Sequence, residues 1–68
     1  MNYNFSKDLK SIREILGLSQ SELAEQIGVE QVTISRNELG KTQASPGFLE
    51  SVYSYAYDKK IKIKVSYY

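Results

Sequence analysis

The chain contains no cysteine and no histidine, and only one proline and one methionine, among 68 residues. Disulfide staples, thiolate zinc sites and imidazole ligands are therefore excluded. The serines have no base near them in pattern, and no glycine-rich phosphate loop or carboxylate cluster at metal spacing occurs. The expectation is a protein that is not an enzyme and holds no metal or other cofactor. No apolar run approaches the roughly 18 residues of a membrane span. The N-terminal Met1, Asn2, Tyr3, Asn4 and Phe5 lack the basic-then-apolar layout of a signal peptide. Both points predict a cytoplasmic protein with no membrane partner.

A chain of this length forms one domain at most and buries only about 60% of the surface its unfolded form exposes. Its core must be purely hydrophobic, with a second chain as one way to complete it. The net charge of +1 conceals an uneven distribution. In residues 1–57, five basic side chains (Lys7, Lys10, Arg13, Arg36, Lys41) stand against seven acidic ones (Asp8, Glu14, Glu22, Glu25, Glu30, Glu38, Glu50), a net of −2. In residues 58–68, Lys59, Lys60, Lys62 and Lys64 stand against Asp58 alone, a net of +3. The chain therefore divides into a body, 1–57, and a basic tail, 58–68.

Hydrophobic periodicity predicts four helices in the body. Phe5, Leu9, Ile12 and Leu16, with Ile15 beside them, mark a helix over about 6–16, closed by Gly17. Ser19 lies three residues before Glu22, the spacing of a capping box, and opens a two-turn helix through Leu23, Ala24 and Ile27 that ends at Gly28. Val29 and Ile34 have the spacing of a hydrophobic staple with Glu30 as a weak N-cap, which gives a third helix over about 31–39. A loop containing Pro46 follows, and Leu49, Val52, Tyr53 and Ala56, with Phe48 alongside, predict a fourth helix over about 47–57. Tyr53 falls on its core stripe and Tyr55 on the opposite face. From Lys60 the period changes to two, because Ile61, Ile63, Val65 and Tyr67 alternate with lysines and Ser66, the pattern of a short β-strand or extended tail.

The run from Gln20 to Leu39 resembles the helix-turn-helix of the phage-repressor (XRE/Cro-type) family. Leu23, Ala24, Ile27, Gly28, Val29 and Ile34 stand at the positions which that motif uses for core, small contact, turn and core again. The likeness extends over about 9–56, and Arg13 and Glu38 match a pair that forms a salt bridge between the first and third helices in the family. Asn37 departs from it, standing where the family carries an apolar or aromatic residue. Such an Asn37 is expected either at a half-exposed edge or hydrogen-bonded toward the following loop. The implied fold is mostly α, a four-helix repressor-like bundle with a helix-turn-helix at 19–39.

The resemblance implies sequence-specific binding of double-stranded DNA, with the third helix in the major groove. Gln31, Val32, Ser35 and Arg36 are then the candidate base contacts: Gln31 suits adenine, Arg36 suits guanine, and Val32 suits a thymine methyl group. Gln20, Lys41 and Gln43 are candidate phosphate contacts, which position the protein without reading sequence. The leading reading is a transcriptional regulator, a repressor by preference, acting as a homodimer on a palindromic operator. The alternative is an antitoxin-like module whose C-terminal strand, through Ile61, Ile63 and Val65, engages a toxin-like protein partner while DNA binding serves autoregulation. The strand reads by preference as half of an intermolecular sheet, paired with a second copy or a different protein, ahead of a clamp on the DNA backbone or a solvated tail. With so few cations near the groove, the body alone should bind with a shallow salt dependence. A log–log salt titration should steepen by about 0.9 for every tail lysine that reaches a phosphate. Equal slopes with and without residues 58–68 would remove the tail from DNA binding.

Overall fold

The computed structural model describes residues 4–61 and places four helices in them. These are α1 (Phe5–Leu16), α2 (Gln20–Ile27), α3 (Gln31–Glu38) and α4 (Pro46–Asp58). Each start has a local cause. Asn4 caps α1, its side-chain oxygen accepting from the Lys7 backbone N–H at 3.3 Å and from the Ser6 hydroxyl at 3.1 Å. Ser19 and Glu22 form the expected capping box at α2. Glu30 is the N-cap of α3 but makes no side-chain cap bond, as its residue type predicts. Ser45 caps α4 through the Phe48 N–H. Pro46, expected in the loop, is the first residue of α4, where its missing N–H would have had no helical partner.

The helices meet over Phe5, Leu9, Ile12, Leu23, Ala24, Ile34, Val52 and Ala56, all buried. Every helix contributes to this core, and the predicted stripes of all four supply it. Ile15 is the exception, being 61% exposed. At 100° per residue it lies roughly 90° from the centre of the stripe formed by Phe5, Leu9, Ile12 and Leu16. The turn between α2 and α3 depends on Gly28, whose φ of 88° is a left-handed conformation that a Cβ would strain. Nothing lies within 4 Å of where that Cβ would stand, so the backbone angle, and not crowding, calls for glycine.

Two polar side chains enter the interior. Asp8, 2% exposed, accepts from the Tyr53 hydroxyl at 2.7 Å and so joins α1 to α4. Phe5 packs edge-on against both Tyr53 and Phe48, which closes this end of the bundle. Tyr55, expected on the outer face of α4, instead packs against the core, and its hydroxyl donates to Gln26 Oε1 on α2. Burial pushes its phenol pKa up. Asn37 takes neither of its expected positions. It is 4% exposed, and its Nδ2 donates one turn back to the Thr33 carbonyl at 2.7 Å, while Oδ1 is buried without a partner.

The end of α4 revises the start of the expected strand. The Lys59 N–H bonds the Tyr55 carbonyl, Lys60 adopts a left-handed φ of 58°, and the Ile61 N–H bonds the Ala56 carbonyl at 3.0 Å. Ile61 packs against the core, so Lys60 and Ile61 close α4 and do not begin a ladder. Ile63, Val65 and the rest of the predicted strand lie outside the described residues. No described helix is long and apolar enough to cross a membrane.

An unpartnered buried acceptor such as Asn37 Oδ1 costs about 1–3 kcal/mol. Asn37→Leu should therefore raise the melting temperature by roughly 4–8 °C for each kcal/mol recovered in a domain of this size. Thermal unfolding followed by circular dichroism checks this, and a lower melting temperature would show that the pocket needs the amide.

Candidate nucleic-acid interface

The helix-turn-helix presents one side of α3 outward. Ile34 points into the core and is fully buried, whereas Gln31, Val32 and Arg36 are exposed and Ser35 is half-buried. Three of the four expected base contacts are thus exposed, and Ser35 is partly covered. Val32 is 44% exposed, an apolar group open to a neighbouring methyl. Lys41 and Gln43 are exposed in the segment after α3, and Gln20 is half-buried in the first turn of α2. Gly40, with φ 71°, ends α3 and leads directly to Lys41, whose N–H bonds the Arg36 carbonyl at 3.1 Å.

Behind this surface runs a continuous set of polar contacts. Arg13 Nε donates to Glu38 Oε2 at 2.7 Å, and a terminal guanidinium nitrogen donates to Glu38 Oε1 at 3.0 Å, a two-point pairing of α1 with α3. The other terminal nitrogen of Arg13 donates to the Leu18 carbonyl at 3.1 Å, which ties down the link between α1 and α2. Gln20 Nε2 donates to Glu38 Oε1 at 3.2 Å, and Gln31 Nε2 donates to Gln20 Oε1 at 3.0 Å. Gln20 therefore spans Glu38 and Gln31, which stand seven residues apart along one side of α3. The sequence pairs Arg13 with Glu38 correctly through the family likeness. It does not reveal that Gln20, read as a phosphate contact, reaches both Glu38 and Gln31, because these contacts join the first turn of α2 to both ends of a different helix, α3.

The electrostatics follow the contacts. The hydrogen bond to Glu38, aided by its charge, raises the Arg13 pKa above its ordinary value despite partial burial. Burial alone would push the Glu38 carboxyl up. Hydrogen bonds from Arg13 and Gln20, with the charges of Arg13 and Lys10, outweigh it and hold the pKa below the usual carboxylate value. Glu22 is also lowered, by the Ser19 backbone N–H and then the Ser19 side chain of the capping box.

The Glu38 side chain is 6% exposed and that of Arg13 18%. Removing one partner strands the other charge, so either single alanine variant should lose stability toward the low end of the roughly 3–5 kcal/mol seen for buried pairs. Arg13→Ala with Glu38→Ala should cost clearly less than the sum of the two single changes, and an additive double-mutant cycle would mean the pair does not form. A carboxyl lowered by folding adds stability that is complete above its unfolded pKa of about 4.3 and is lost as pH falls through the lower folded value. Acid titration of unfolding should therefore be shallower in Glu38→Gln than in the parent across this range.

A family model described as Helix-turn-helix matches residues 9–52, well over half of the chain, and runs from within α1 to the middle of α4. No curated protein and no solved structure matches the chain. The match covers the turn at Gly28, the Arg13 and Glu38 pair and the whole outward side of α3, and its family is one of DNA-binding regulators. The chain belongs to the helix-turn-helix family, of the phage-repressor (XRE/Cro) type.

Proposed function

We propose that this protein binds double-stranded DNA sequence-specifically by inserting α3 in the major groove, and that it acts as a transcriptional repressor. The observation that carries the reading is the exposure of Gln31, Val32 and Arg36 on the outward side of α3, with Gln31 already held by Gln20. Gln31 offers an amide that pairs with adenine through two bonds, Arg36 a guanidinium that pairs with guanine, and Val32 a surface for a thymine methyl group. Ser35, half-buried between them, is suited to a single hydrogen bond. Lys41, Gln43 and the start of α2 at Gln20 flank this side and would meet phosphates, where backbone N–H groups of a helix N-terminus also favour an anion.

The body carries a net charge of −2, so a single copy has little general attraction for DNA. We therefore take the working form to be a homodimer on two half-sites separated by about 34–36 Å, one turn of the double helix. Residues 58–68 are the candidate source of added charge or of the second-copy contact.

Selection from a random pool of duplexes should yield a two-fold symmetric motif. Gln31→Ala and Arg36→Ala should each cost about 1–3 kcal/mol on that motif and relax preference at separate base pairs. Lys41→Ala should weaken all duplexes alike and reduce the salt slope by about 1. Folded protein that enriches no motif would overturn the reading.

A further inference from the structure

We infer that Glu30 is a specificity-determining residue: its carboxylate accepts from the exocyclic amine of a cytosine, and refuses guanine and thymine, at the base pair beside the one that Gln31 reads. The inference rests on the DNA-binding reading above. It goes beyond that reading by assigning a base contact to a residue that precedes α3 and caps it poorly.

The four helix starts are not built alike. Asn4, Ser19 and Ser45 each accept, through a side-chain oxygen, from a backbone N–H of the helix they open. Glu30 makes no such bond, although its φ of −78° and ψ of 149° are those of an extended N-cap. α3 starts instead through its backbone, the Thr33 N–H bonding the Glu30 carbonyl at 3.0 Å, and through Val29, which packs against the core that holds Ile34. The Glu30 side chain is exposed, so a serine in its place would supply the missing cap and displace no packed group. The one helix whose start has no side-chain cap bond is thus the one whose first turn enters the groove. A local rule broken at such a place points to function.

The charge of Glu30 argues the same way. Among the described residues its carboxylate has no hydrogen bond and no ion pair. It contributes to the net −2 of the body and stands at the end of α3 that approaches DNA, where it weakens attraction for any duplex. An ionised carboxylate has acceptors only. In the major groove guanine presents N7 and O6 and thymine presents O4, all acceptors, and both bases repel it. Adenine sets the N7 acceptor beside its amine, an edge that suits the two-ended amide of Gln31. Cytosine presents its N4 amine with no acceptor of its own beside it. The charge that lowers affinity for duplexes in general is therefore offset best at cytosine, and a general penalty becomes discrimination. Glu30, Gln31 and Val32 are consecutive and all exposed, so the three address neighbouring base pairs.

Three proteins test this: the parent, Glu30→Ser, which restores a capping oxygen, and Glu30→Gln, which keeps the length and adds a donor. Thermal unfolding comes first, and Glu30→Ser should melt at or above the parent temperature. The motif selected by the parent should contain a C·G pair next to the pair that Gln31→Ala identifies. The parent's preference for cytosine there, on the order of tenfold or more for a specific base contact, should fall to within about threefold in Glu30→Ser, with preferences at other base pairs retained. Glu30→Gln should admit adenine at that pair as well as cytosine. Affinity for unrelated duplexes should rise in both variants, because a negative charge is gone. Replacing that cytosine by 2-pyrimidinone, which keeps the ring but lacks the amine, should weaken the parent and leave Glu30→Ser unaffected. Full retention of every base preference in Glu30→Ser overturns the inference. So does a Glu30→Ser that melts lower and loses affinity for all duplexes alike, since the carboxylate would then serve only the start of α3. A parent that selects no motif refutes the DNA-binding reading and this inference with it, whereas a motif indifferent to residue 30 refutes this inference alone.

Discussion

The carboxylate of Glu38 accepts hydrogen bonds from two other helices, Arg13 on α1 and Gln20 on α2, while itself belonging to α3. A charge this far from solvent must be paired to be tolerated, and the pairing prescribes the relative placement of three elements at once. That constraint matters because α2 and α3 are eight residues each. Helices of two turns have no independent stability in water and exist here through their caps and their packing. The pair is directional where the apolar core is not. Leu9, Ile12, Leu23 and Ile34 reward any close approach, but the two-point contact of Arg13 with Glu38 rewards one rotation of α3 about its axis.

That rotation decides what α3 offers outside. With Ile34 turned inward and Glu38 turned toward Arg13, Gln31, Val32 and Arg36 are left facing solvent. At the other end of the molecule a second polar contact, between Asp8 and the Tyr53 hydroxyl, plays the corresponding part for α1 and α4. Phe5 and Phe48 seal it with edge-on ring packing. The bundle thus combines a small apolar centre with oriented polar links between its helices, which suits a domain too short to rely on buried area alone. Asn37 runs against this economy. Its buried Oδ1 has no donor, and nothing in the fold explains why an amide stands there.

Much of the fold was legible from local pattern because local chemistry dictates it. The capping box at Ser19 and Glu22, the glycine at Gly28 and the stripes of Leu9, Leu23 and Val52 each act within a turn or two of their own helix. Elsewhere a distant element intervened, or a residue's place within its own helix decided. Tyr55 lies off the stripe of α4, yet α2 covers it and Gln26 meets its hydroxyl. Asp8 lies off the stripe of α1, yet α4 buries it. Ile15, read as lying beside the stripe, stands roughly a quarter-turn from its centre and is left open. Pro46 was read as a breaker, although at the first position of a helix it breaks nothing. Period two in the tail suggested a strand from Lys60, but the core takes in Ile61 and draws the chain end back onto α4.

The candidate site divides along the same line. The sequence by itself determined the helix-turn-helix and which residues are candidates for the outward side of α3, since these follow from periodicity, capping and a constrained motif, and its likeness to the family implied the partnership of Arg13 with Glu38. Only the tertiary structure decided that Gln20 stands between Glu38 and Gln31. The physical reason is that a hydrogen bond depends on position and direction in space, and the first turns of α2 and α3, eleven residues apart along the chain, come into contact only after the whole bundle has packed.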